Sequence, residues 1–319
     1  MSSPSAALIP AAWPALPYGD WQDTCAALHL WTQVVGKVRV AQSPWVNHGW
    51  HSTLYPTARG LTTSPVPHGT RAFQIELDLI EHVLIIEDDA GAFRHVTLEP
   101  MSVARFHRSV LGALAELGLP VRIHGRPNEI ADAQPFTEDQ IERPYDRDAV
   151  DRFRRALLQV SRVLDRFRSG FIGKASPVHL FWGSFDLAVT RFSGRTAPPH
   201  PGGIPGLPDA VTREAYSHEL SSAGFWPGRG LGYPAFYSYA YPAPEGFADA
   251  AIEPAEAFFD GDLGEFILPY EAVRTAADPD AKLLAFLQST YDAAADLGKW
   301  DRAALECPPG QPRSPRAVA

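Results

Sequence analysis

One amphipathic helix near the middle of the chain constrains the fold more than any other feature. Between Asp146 and Phe167, Val150, Phe153, Leu157, Val160, Leu164 and Phe167 recur every three or four residues, which lines one side of a helix with apolar groups, and Asp148 is placed to cap its start. Arg152, Arg154, Arg155, Arg162, Arg166 and Arg168 cover the other sides, interspersed with Asp151 and Asp165, which describes a solvated face rather than an anion patch.

On either side of this helix the apolar runs shorten to strand length. Upstream, a helix is expected from about Asp20 to Ala41, where Trp21, Cys25, Leu28, Trp31, Val35 and Val38 share a face. Its other side carries His29, Gln33 and Lys37 at i, i+4 and i+8, which reads as a solvated polar stripe. Strands are expected near 50–59, 73–79, 83–88 and 93–98, the last two joined by the hairpin signal Asp88-Asp89-Ala90-Gly91. A helix from Ser102 to Leu117 follows, stopped by Gly118 and Pro120, with a further strand at Val121 to His124.

Downstream, the pattern returns. Trp182 to Arg191 can be laid over Trp50 to Arg59, Ser217–Leu220 over Gln74–Leu77, Ala235–Tyr241 over the strand near Val83, Glu265–Pro269 over the one near Arg94, and the helix near Ala281 to Leu297 over 102–117. The expected fold is therefore α+β and internally duplicated. Two antiparallel strand-rich halves, each followed by a helix, pack into one body, with a long connecting helix between them. The boundaries are 1–145 for the first half, 146–175 for the connecting helix, 176–307 for the second half and 308–319 for a disordered tail.

Composition narrows the function classes. The 319 residues are 45% hydrophobic and 20% charged, with a formal net charge of -9, so a chain built for nucleic acid or an anionic membrane surface, either of which favours a basic excess, is not expected. No run approaches the ~20 apolar residues of a membrane span, and no basic residue precedes the apolar part of the N-terminus, so a cytoplasmic location is the expectation. Cys25 and Cys307 cannot make a disulfide framework. Many of the 30 prolines and 25 glycines gather between 193 and 234, where a lid or pocket rim is expected beside the Trp182 and His218 motifs.

Four stretches together are distinctive: Thr32 to Arg39 (TQVVGKVR), Val178 to Arg191 (VHLFWGSFDLAVTR), Ser217 to Gly228 (SHELSSAGFWPG) and Pro234 to Pro242 (PAFYSYAYP). In them the chain resembles, over nearly its full length, an uncharacterised bacterial family, DUF5996. The resemblance implies a full-length member of that family and brings no activity with it.

The chemistry therefore rests on the residues. In a strand over 182–191, Trp182, Ser184, Asp186 and Thr190 share one face, a candidate pocket wall; in 235–241, Tyr237, Tyr239 and Tyr241 do the same. His218 and Glu219 suggest acid–base work or a metal, although neighbours on a regular strand point apart. A divalent transition metal held by His179, His218 and either Asp186 or Glu219 is one reading; a hydrogen-bonded pair is the other. His48 and His51 would face His179 across a shared cleft if the halves oppose each other. The leading expectation is an enzyme for a small, partly aromatic or anionic molecule. His179, Asp186, His218 and Glu219 would act on it, Trp182, Ser184, Trp226, Tyr237 and Tyr239 would line it, and Arg191 and Lys37 would contact the anion. A non-catalytic small-molecule-binding protein with structural histidines is the alternative. Gly170 to Ala175 is not a phosphate loop, lacking the earlier glycine and the Ser or Thr, and Gly228 to Gly232 does not open a dinucleotide-binding helix.

Overall fold

The computed structural model describes residues 12–315. In chain order the elements are α1 (Tyr18–Gln42), β1 (Tyr55–Pro56), β2 (Gly60–Thr62), β3 (Val66–His68), β4 (Arg71–Asp78), β5 (Val83–Asp88), β6 (Phe93–Thr97), β7 (Met101–Ser102), α2 (Val103–Glu116) and β8 (Glu142–Arg143). There follow α3 (Arg147–Ser169), β9 (His179–Phe181), β10 (Asp186–Thr196), α4 (Asp209–Ala215), β11 (His218–Trp226), β12 (Ala235–Tyr241), β13 (Phe258–Asp260), β14 (Glu265–Pro269), α5 (Tyr270–Arg274), α6 (Pro279–Leu297) and α7 (Arg302–Leu305). This mixture of helices and antiparallel sheets is an α+β fold. No helix among the described residues is long and apolar enough to cross a membrane.

The first sheet runs β1-β2-β4-β5-β6, with β3 added on β4; the second runs β13-β14-β12-β11-β10-β9; β7 and β8 pair by themselves. Every ladder is antiparallel. The sheets meet at Leu54 and Leu180, which exchange backbone hydrogen bonds of 3.0 and 2.7 Å. Alternation decides the faces. Phe73, Ile75 and Leu77 on β4 and Leu84 and Ile86 on β5 are buried, whereas Gln74, Glu76 and Ile85 are only partly covered. Helix α3 packs on β10 and α6, and α6 packs on β11 and β12, so Leu187, Val189, Phe225, Phe236, Phe266 and Leu268 enter the helix-covered core. The opposite face of the second sheet carries Asp186, Ala188, Thr190, Ser222, Gly224, Tyr237, Tyr239 and Glu265, and faces a cavity.

Several expectations need correction. The cap of α3 is Asp146, whose carboxylate accepts from the backbone N–H of Asp148 and Ala149, and Asp148 is already in the first turn. Val121 to His124 is no strand, because no neighbouring strand runs beside it. Both tryptophan-led stretches open on a turn rather than a strand, and the second enters β10 at Asp186. At 50–54 the Ser52 N–H and Thr53 hydroxyl bond back to Gly49 and Trp50; at 182–185 the Phe185 N–H bonds back to Phe181 at 2.8 Å, with φ +63 at Phe185. The segment 193–234 is not one loop: it holds the end of β10, then α4, then β11, with loops between and after them. Of the tail expected over 308–319, residues 316–319 lie outside the described residues, as do 1–11.

Candidate active site

A cavity of about 650 Å³ lies between the open face of the second sheet and three pieces of the first half: the C-terminal part of α1, residues 45–52 and the loop around 124–129. Its remaining wall comes from 204–216, so the proline- and glycine-rich insertion does form part of the rim. Burial of this size suits a metabolite-sized molecule.

Asp186 starts β10 and points into this space, 5% exposed. Ser184 Oγ donates to its Oδ1 and Tyr237 OH to its Oδ2. Tyr237 reaches it across Gly224, its register partner on β11, where a β-carbon would lie 2.5 Å from the phenol oxygen. Glycine is required there by space alone. Burial raises the Asp186 pKa against those two hydrogen bonds, and pushes the phenols of Tyr237 and Tyr239 well above their ordinary range.

Two more carboxyls, neither singled out in the sequence, share the cavity. Glu129 is pushed up to about 7 by burial and by Asp186, against the pull of Lys37. Glu265 is pushed up to about 8, again by burial and then by Asp186 and Asp260, and its Oε2 is buried without a hydrogen-bond partner. Lys37 is lowered to about 8 by burial, opposed by Glu129. Its ammonium donates to Asn128 Oδ1 and lies 5.4 Å from the centre of the Trp182 ring. Tyr216 bonds Tyr239 through their hydroxyls at 2.9 Å, and Tyr237 stacks on Trp226 at 4.4 Å.

The stripe His29, Gln33 and Lys37 is not solvated. These side chains are 1%, 0% and 6% exposed and anchor the loop that presents Glu129. Gln33 Nε2 donates to Asn128 O at 2.8 Å, and its Oε1 accepts from Asn128 N at 2.8 Å. His29 Nε2 lies 2.8 Å from Gly183 O, and its Nδ1 lies 2.6 Å from Arg229 Nη1, so the ring is neutral with its proton on Nε2; burial and the guanidinium lower its pKa to about 3. Glu129 itself holds φ +59, and its N–H donates to Pro205 O at 2.7 Å. That conformation is rare for a side chain other than glycine, and here it is fixed by bonds on both sides.

The structure distributes the expected site residues unevenly. Lys37, His48, His51, Trp182, Ser184, Asp186, Trp226, Tyr237 and Tyr239 all line the cavity. His48 donates from Nδ1 to Ala215 O and accepts from Lys174 Nζ at 2.6 Å at the foot of α4; burial lowers its pKa, helped by the Lys174 ammonium and opposed by the Ala215 carbonyl. His51 stacks on Trp45. His179 lies behind the wall, 0% exposed among Trp50, Tyr55 and Phe181, with neither ring nitrogen hydrogen-bonded, and burial lowers it to about 3. His218 sits edge-on to His48, their ring centres 5.7 Å apart. Glu219 points to the other side of β11 and is paired with Arg195 at 2.6 Å and Ser193 at 2.8 Å. Arg191 also points away: 1% exposed, it donates to Phe167 O and lies over the rings of Phe167 and Tyr291, so it reaches no ligand in the cavity. The metal set drawn from His179, His218 and Glu219 is not assembled, and among the described residues no three His, Cys, Asp or Glu side chains converge on a point that could hold an ion.

The residues that sequence reasoning missed are Glu129, Glu265, Tyr216, Asn128 and His124. Glu265 carried a signal, as the polar start of a short apolar strand, whereas Glu129 sits in an aperiodic loop. No curated protein and no solved structure matches the chain. The model of one family matches residues 13–307, which include every wall of the cavity, and the chain belongs to that family, the family of unknown function DUF5996.

Proposed function

We propose that the protein is a small-molecule enzyme that works by proton transfer between carboxyl, phenol and ammonium groups, without a resident metal in its active site. The observation that carries this reading is the convergence of Glu129, at about 7, Glu265, at about 8, and Lys37, at about 8, on one cavity. Groups that titrate near neutrality are half-ready both to give and to take a proton, which general acid–base catalysis requires. Asp186 with Tyr237 and Ser184 forms a fixed polar floor. The histidines expected to act have other roles in this reading: His29 and His48 hold loops, and His179 packs the wall. An internal duplication is supported by the shared make-up of the halves, each an antiparallel sheet followed by a helix, α2 or α6.

The test is turnover in a complex mixture. Purified protein is incubated with a small-molecule extract and followed by mass spectrometry, beside a folded Glu129→Gln, Glu265→Gln double variant. Metabolites consumed by the native protein and left untouched by the variant are the expected result. A molecule retained but never converted by the native protein would overturn the enzyme in favour of a binding protein.

A further inference from the structure

We infer that the cavity takes a small organic cation, a protonated amine or guanidinium on an apolar body, with the charged end at the Glu265 carboxyl and the body against the Trp226–Tyr237 stack. The inference rests on the same cavity as the proposed function and adds the class of ligand. Three carboxyls face the space, Glu129, Asp186 and Glu265, against one ammonium, Lys37, which is already committed to Asn128 Oδ1. Arg191, the anion contact expected from sequence, lies on the far side of the sheet, and burial lowers the pKa of His48, which favours its neutral form. An anion would meet Asp186 with nothing to balance it.

The carboxyls are not equivalent. Both oxygens of Asp186 are occupied by Ser184 and Tyr237, and Glu129 has Lys37 as its nearest opposite charge. Of the three, only Glu265 has a buried oxygen, Oε2, bonded to nothing, and it couples electrostatically with the phenols of Tyr237, Tyr239 and Tyr216; Tyr237 and Tyr239 lie parallel with centres 6.1 Å apart, and Trp226 stacks on Tyr237. Ring faces attract a cation that has left water, and a carboxylate fixes its N–H groups, so the pair selects an ammonium or guanidinium over an uncharged isostere.

Calorimetry of the full chain with matched probes tests this: phenethylammonium and butylguanidinium as cations, 2-phenylethanol and butylurea as neutral isosteres, and 3-phenylpropionate as the anion. The cations are expected to bind at least about tenfold more tightly than either other class. At pH 6.5 each binding event should release close to one proton, because Glu265 ionises on meeting the cation; the release is read from titrations in buffers of different ionisation enthalpy. Glu265→Gln should abolish both the preference and the proton release. Glu219→Gln, on the opposite face, should change neither and serves as the control for folding. Equal binding of all three classes, binding of the anion alone, binding of no cation, or a cation preference that survives in Glu265→Gln would each overturn the inference. The two readings fail separately. A cation preference in a protein that converts no metabolite of the extract leaves this inference standing and removes the enzyme, whereas a converted metabolite that is anionic does the reverse.

Discussion

Two glycines decide whether the cavity can hold its charged groups. A β-carbon at Gly183 would lie 1.9 Å from Glu129 Oε1, and one at Gly36 would lie 2.1 Å from the Trp182 indole nitrogen. Both contacts are between residues far apart in sequence, so nothing in the local pattern announces them. Gly183→Ala is expected to expel the Glu129 carboxyl, abolishing turnover while costing only ~1 kcal/mol in a thermal melt, since the displaced group can swing toward water. Arg191→Ala should do the opposite. It strips a side chain packed between Phe167 and Tyr291, lowering stability by roughly 3 kcal/mol, and leaves ligand binding by the folded fraction unchanged. At this scale parity is legible within a strand: alternation puts Tyr237 and Tyr239 on one face of β12, and both line the cavity, whereas the meeting of Tyr237 with Asp186 across β11 depends on a register that alternation does not give. Glu129 was not, because a loop residue acquires its role from the backbone that folds over it. The stripe on α1 misled for a related reason. Polar residues at helical spacing normally mean solvent, but α1 is covered on that side by a loop whose open backbone groups need those same polar atoms.

Among elements, long periodic helices and alternating strands could be read from sequence to within a few residues, as α1, α2, α3, β4, β5 and β12 show. Tight turns could not, since 50–54 and 182–185 contain strand-forming residues bent by local hydrogen bonds. The insertion depends on α4. Its Glu214 accepts from the His48 backbone N–H at 3.0 and 3.1 Å, and His48 in turn bonds Ala215. Glu214→Ala is expected to loosen this segment selectively. Hydrogen exchange should quicken over 198–216 and at His48, with the ladders of β10, β11 and β12 protected as before; quickening across those strands as well would mean that α4 holds the sheet rather than the rim.

For the whole molecule, the buried acids and the buried imidazoles bias stability in opposite directions along the pH scale. Glu129 and Glu265 have folded pKa values of about 7 and about 8 against an ordinary 4.5, so the folded state holds their protons longer and stability is lost as pH rises from 4.5 to 8. His29 and His179, at about 3 against 6.5, make stability fall as pH drops below 6.5, because only the unfolded chain takes up those protons. The two effects offset each other between 4.5 and 6.5, which places the most stable range of the unliganded protein there, below neutrality. The decline in melting temperature from pH 6.5 to 8 should flatten in the Glu129→Gln, Glu265→Gln variant, whose amides mimic the protonated acids. The Gln33 clamp adds a constraint in time. It ties α1 to backbone 95 and 150 residues further along the chain, and Glu265 comes later still. A growing polypeptide thus presents α1 long before any cavity can close around it, so a ligand can act as a folding aid only once β14 has been made and can join its sheet.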